Sequence, residues 1–143
     1  MRNPSKTFFY VLVFSVSALL TGCSSLNTRS VIDLKDFKRI YVVHRLTDDH
    51  HMDELLVREL QRLGREASSG PLTLLPDNAD ATLTYEDRWE WDFKSYLIEL
   101  TVVLQTARTE KKLADGRYYQ PTPNAKPPVE VVHELVTSLL KAK

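Results

Sequence analysis

The sequence has a single cysteine, Cys23, so no disulfide can form within the chain and the fold must rest on core packing. Four glycines leave little material for a glycine-rich phosphate loop, and no Gly-x-Ser-x-Gly elbow is present to expose a nucleophilic serine. Neither sign of charge is in excess. The 19 Lys and Arg oppose 19 Asp and Glu, which removes the basic imbalance expected of a nucleic-acid binder. Nor is there an apolar stretch of the roughly 20 residues that a bilayer core requires; the run over residues 8–20 has only 13. No acidic side chain occurs before Asp33, whereas Arg2 and Lys6 are basic. A basic start, a short apolar run and then small residues have the layout of a secretory signal segment.

Cys23 stands at the end of that run, in Leu19-Leu20-Thr21-Gly22-Cys23. This resembles the bacterial lipobox. The resemblance implies that the Cys23 sulfur carries a diacylglyceryl thioether, that a lipoprotein signal peptidase cuts between Gly22 and Cys23, and that the new α-amine is acylated. The chemistry suits the residues: a small side chain before the cut lets the protease approach the backbone, and a thiol is a strong nucleophile near neutral pH. One acyl chain holds a protein weakly, at about 0.8 kcal/mol per buried methylene, so two or three are needed for stable anchoring. Ser24, standing where an Asp often retains such proteins in the inner membrane, favours the outer membrane. The periplasmic face of that membrane is the expected location. The expected organisation is a signal peptide over residues 1–22, an acylated cysteine and flexible tether over 23–36, and one domain over 37–143. The lipid bilayer is the first expected partner.

Within that domain, residues 38–46 are rich in β-branched and aromatic side chains on both faces and predict an inner strand. Met52, Leu55, Leu56, Leu60 and Leu63 recur at helical spacing, with Asp48 or Asp49 as the expected N-cap and Gly64 as the stop. A chain break at residues 68–71 precedes a short strand expected over 72–75. Alternation over 80–92 and 95–107, then 112–120, predicts an antiparallel meander. Four prolines between Pro121 and Pro128 make a connector, and Pro128 opens a closing helix whose apolar face is Val129, Val132, Leu135, Val136, Leu139 and Leu140. The fold class is α/β of the α+β kind: a two-layer sandwich with a mixed sheet of four to five strands and two helices on one face.

Candidate chemistry is sparse. Asp48-Asp49-His50-His51-Met52-Asp53-Glu54 is the densest run of possible metal ligands, with His50 and His51 as weak candidates. Adjacent histidines project differently, however, and the helical zinc signature needs them four apart. A capped, solvated helix start is the favoured reading, so no metal and no cofactor is expected. Tyr85, Trp89 and Trp91 fall on alternating positions of one strand. They suit a glycan or small-ligand groove, although aromatic strand residues are more often core beneath a helix. Asp87, Glu90, Asp92 and Glu99 offer carboxylates without a defined separation.

The run Tyr85-Glu86-Asp87-Arg88-Trp89-Glu90-Trp91-Asp92, the Tyr96-Leu97 strand and the Pro127-Pro128-Val129 helix start are similar to a group of uncharacterised bacterial lipoproteins. These share a Tyr-x-Asp-x-Trp-x-Trp-Asp strand motif and have no assigned catalytic residues. More loosely, the strand and helix order is similar to envelope lipoproteins such as the curli-secretion subunit and activators of peptidoglycan synthases. The strong anchor motif and the lack of catalytic motifs in the sequence favour a non-catalytic interaction or assembly module of the cell envelope with a protein partner. A ligand-binding lipoprotein is the alternative, and a metal-dependent enzyme ranks below both.

Overall fold

The computed structural model describes residues 24–121 and 124–142; the expectations for the signal segment, Gly22 and Cys23 lie outside them. The described chain is one mixed sheet of six strands with two helices on one face. The strands are β1 (Ser25–Ser30), β2 (Arg39–Val43), β3 (Glu66–Gly70), β4 (Ala81–Asp92), β5 (Lys94–Thr106) and β6 (Lys112–Tyr119). The helices are α1 (Met52–Arg62) and α2 (Pro128–Lys141). Sheet order is β1-β6-β5-β4-β2-β3. The half from β1 to β4 is antiparallel, and β2 runs parallel to both β4 and β3. The α+β sandwich expected from the sequence is present, with six strands where four to five were expected.

Local chemistry explains most elements. Met52, Leu56 and Leu60 of α1 are fully buried, each four residues after the last, and α1 lies on β2 and β3. Val132, Leu135, Val136 and Leu139 bury α2 over β6, β1 and β5. Beneath them lie Ile40, Val42, Leu83, Leu100, Val102, Leu104 and Ala114 from the sheet. Each of the buried valine, leucine, isoleucine and methionine side chains contributes about 1.5–3 kcal/mol on leaving water. Gly64, at φ 80, ends α1 as expected. The α1 start differs: His51 is the N-cap at φ 54 without a side-chain cap, and Asp48 reaches in from the loop to accept the Asp53 amide at 3.2 Å.

Both additional differences concern sheet edges. The stretch read as a tether contains β1, which pairs with β6 from Ser25↔Tyr119 to Ser30↔Ala114, and Leu34 beyond it is buried in the core. The short strand expected over residues 72–75 is instead a single 3-10 turn, Leu72–Leu74. The strand is the preceding segment, β3, whose small side chains lie along β2. A Cβ on Gly70 would collide with the Tyr41 hydroxyl, which donates to Pro71 O at 3.0 Å and turns the chain away from the sheet.

One irregularity shapes the far end of the sheet. Between β4 and β5 the register passes from Arg88↔Glu99 to Trp89↔Leu97, leaving Ile98 as the extra residue of a β-bulge. Leu97 and Ile98 are therefore both buried. Gln120, itself buried, holds the bulge: its amide N–H donates to Ile98 O at 2.8 Å and its Nε2 to Leu97 O at 2.8 Å. Beyond the bulge the two strands continue as a two-stranded hairpin, Trp89↔Leu97 to Asp92↔Lys94.

Candidate functional site

The hairpin and the loop between β2 and α1 form one end of the molecule, and most of the residues singled out in the sequence converge there. Tyr85, 3% exposed, donates its hydroxyl to Asp48 Oδ2 at 2.6 Å. Asp87 binds two groups at once: Arg45 Nη1 at 2.7 Å and Trp89 Nε1 at 2.6 Å. The His50 ring stacks on Trp89 with centroids 3.7 Å apart and planes 8° from parallel, and its Nε2 lies 3.3 Å from Ser95 Oγ. Loop and hairpin are thus tied by an aromatic stack, an ion pair and side-chain hydrogen bonds.

Tyr85, Trp89 and Trp91 have three different environments. Tyr85 is core, Trp89 is half-buried under His50, and Trp91 is 74% exposed beyond the packed part of the sheet. Phe93, alone between β4 and β5 in the turn, is 93% exposed at φ 60. A bulky side chain at positive φ is a backbone outlier. Strain held at a solvent-facing aromatic is an observation from which function is sought. Leu46, in the neighbouring loop, is 97% exposed. For Phe93 the one sequence signal is the break in alternation after Asp92, and Leu46 stood at the end of the strand expected over residues 38–46, which stops at Val43.

His50 and His51 do not come together as ligands. His50 is spent on Trp89, and His51 Nδ1 lies 3.5 Å from Glu54. Among the described residues the donors close enough to share an ion belong to His44, Asp48 and Asp53, with ligand atoms within 4.8 Å of one another. An imidazole and two carboxylates suit a divalent transition metal. Each already has a protein partner: His44 Nδ1 with Asp53 Oδ2 at 3.1 Å, and Asp48 with Tyr85 and the amides of His50 and Asp53. Burial pushes the Asp48 carboxyl up, but the Tyr85 hydroxyl and these amides outweigh it and hold it below the usual value.

The sheet face opposite the helices carries paired charge. Glu99 sits between Arg88, at 3.2 Å, and Arg117, and both guanidinium groups lie about 5.4–6.0 Å from the Tyr119 ring centroid. The hydrogen bond from Arg117 holds the Glu99 carboxyl below its ordinary range. Arg45, Glu86, Asp87, Arg88, Glu99 and Thr101 line a groove of about 410 Å³ beside this ladder. Of the carboxylates expected to be available, Asp87 and Glu99 are committed to ion pairs.

The architecture defines a class, a two-layer α+β sandwich with an antiparallel half and a parallel half. Within it the chain is similar to PelC from Paraburkholderia phytofirmans, a dodecamer. Identity is 13% and the TM-score 0.63, covering 85% of this chain and 100% of that one. A variant PelC dodecamer from the same organism gives a TM-score of 0.64 at the same identity and coverage. A minor lipoprotein from Acinetobacter baumannii is 18% identical over 71% of this chain and 87% of that one, with a TM-score of 0.38. No family model matches the chain, and no curated protein matches it in sequence. At these identities the PelC likeness shows the fold alone. No described helix is long and apolar enough to cross a membrane.

Proposed function

We propose that this chain is a bacterial lipoprotein held by acyl groups on Cys23, acting as a non-catalytic interaction and assembly module of the cell envelope at the periplasmic face of the outer membrane. The observation that carries the reading is the join between anchor motif and fold. Leu20-Thr21-Gly22-Cys23 runs into an edge strand that starts at Ser25, so lipid on Cys23 would hold the sheet itself rather than a distant domain. The face left open by the helices is polar and internally ion-paired, as suits a surface that must stay wet until a partner covers it. β1 and β3 are the outermost strands, and because the Ala67 carbonyl of β3 already accepts from Gln61 Nε2 at 2.8 Å, β1 is the edge offered to a partner strand. PelC, alike in fold, is a dodecamer, so copies of this chain are among the partners to be tested.

The test uses the full chain in bacterial cells supplied with a labelled fatty acid, with a photo-crosslinking residue at Thr84 on the open face. The wild type should take up label, sediment with outer membranes and give a discrete crosslink to an envelope protein. Cys23→Ala should lose all three. Acyl label retained in that variant overturns the anchor; crosslinks between copies alone would replace the partner by self-assembly.

A further inference from the structure

Strand register fixes Ser25 relative to the exposed hairpin, and chain length then bounds how far the two residues before it can reach. Arg88, Glu99, Tyr119 and Ser25 form one row across β4, β5, β6 and β1. β1 therefore begins level with Arg88. Because β6 is antiparallel to β5 and β1 is antiparallel to β6, the chain enters β1 from the hairpin end of the sheet. β4 continues for four residues past that row, Trp89 to Asp92, which is about 14 Å at roughly 3.4 Å per residue. Cys23 is two residues before Ser25, and two residues reach at most about 7 Å. The hairpin tip thus extends at least about 7 Å further along the strands than the Cys23 backbone can reach.

The side chains at that tip have the chemistry of an interface. Trp91 and Phe93 are 74% and 93% exposed, and Phe93 sits in the turn at φ 60. Leu46 is exposed on the loop bonded to the hairpin. Trp settles at the headgroup level of bilayers, and apolar faces of peripheral segments sink about 5–10 Å into the headgroup and acyl boundary. The minimum overhang of about 7 Å falls within that depth. Glu90 and Asp92 flank the aromatics with Lys94, so the tip is not a cationic patch aimed at anionic lipid.

We propose that the β4–β5 hairpin tip is a second membrane contact, with Trp91 and Phe93 entering the interfacial layer of the leaflet that holds the acyl chains of Cys23. The proposal rests on reading Cys23 as lipidated. Two points of attachment fix an orientation that one lipid anchor does not: strands steep to the membrane and the open face turned sideways. The His50–Trp89 stack and the Gln120-held bulge then act as the stiff base of the inserted tip.

The test uses the full-length chain carrying Trp89→Phe, so that Trp91 is the only tryptophan, purified with its acyl groups and checked by mass for lipid on Cys23. It is placed in phosphatidylcholine and phosphatidylethanolamine vesicles with or without brominated acyl chains. Trp91 emission should be blue-shifted, lose most of its intensity to the brominated chains and resist aqueous iodide. A reporter at the opposite end of the sheet, Thr109→Trp in a Trp89→Phe, Trp91→Phe chain, should show the reverse. Phe93→Cys with a polarity-sensitive label repeats the measurement with Trp89 intact. Acylated protein whose Trp91 behaves like the Thr109 reporter overturns the tip contact and leaves the anchor standing. Unacylated Cys23 overturns the anchor and this contact together.

Discussion

The Tyr85 hydroxyl donates to Asp48 Oδ2 at 2.6 Å, joining the middle of β4 to the loop that opens α1. Burial, and then the negative Asp48, push the Tyr85 hydroxyl well above its ordinary pKa, so it stays a donor throughout the neutral range. The same carboxylate accepts the Asp53 amide in the first turn of the helix. One side chain therefore couples helix start, loop and sheet.

Tyr85→Phe should destabilise the domain by about 1.5–3 kcal/mol, the range for a hydrogen bond to a charged group. Partial solvent access at Asp48 places the value towards the low end. Urea denaturation of a chain beginning at Ser24 measures it; a change below about 0.5 kcal/mol would mean that water replaces the hydroxyl fully.

Gln120 is the second joint. Its Nε2 donates to Leu97 O and Lys126 O, and its Oε1 accepts the Lys126 amide at 2.9 Å. Gln120→Leu leaves these groups unpaired in a buried place and should cost about 1–3 kcal/mol. Faster amide hydrogen exchange across residues 95–100 than in wild type is the accompanying signature.

Glu99 gives the domain an acid-sensitive ladder. Its folded pKa is held below the ordinary 4.5, first by the Arg117 hydrogen bond and further by the charges of Arg117 and Arg88. A depressed carboxyl binds fewer protons when folded. Its contribution is thus complete above about 4.5 and is lost as pH falls through the folded value. Glu99→Gln should lower stability at neutral pH and flatten its decline below about pH 4.5, read as the urea midpoint against pH.

The two tryptophans should separate cleanly. Trp91→Ser touches an exposed ring and should change stability by no more than about 0.5 kcal/mol. Trp89→Ala removes the partner of His50 and of Asp87 and should cost roughly 2 kcal/mol, below the 3–5 of a fully buried aromatic. Equal costs by thermal or urea unfolding would contradict the division between base and tip.

What was readable in advance depended on how far each signal reached along the chain. The α1 face is written in Met52, Leu56 and Leu60 because a helix repeats its buried position every turn, and β4 and β5 are written in their alternation. β1 and β3 carried no such pattern. Edge strands form from backbone N–H and C=O groups that every residue has, so the polar run after Ser24 and the small residues after Glu66 looked like linkers. Leu72 to Leu75 looked like a strand by composition, yet Leu72–Leu74 is a 3-10 turn after Pro71, with Leu72 and Leu74 exposed.

The sequence by itself determined the two-helix α+β class and the lipobox-like motif ending at Cys23, because both are written in neighbouring residues. It also placed Tyr85, Trp89 and Trp91 on one alternating strand. Only the tertiary structure decided that they part into core, base and tip. It was also the tertiary structure that drew His44, rather than His50 or His51, to Asp48 and Asp53, and that set the hairpin tip at the end of the sheet where β1 begins with Ser25. Those outcomes hang on strand order, on the extra residue at Ile98 and on the pairing of Ser25 with Tyr119. The last of these joins residues nearly a hundred positions apart, and no local pattern encodes it.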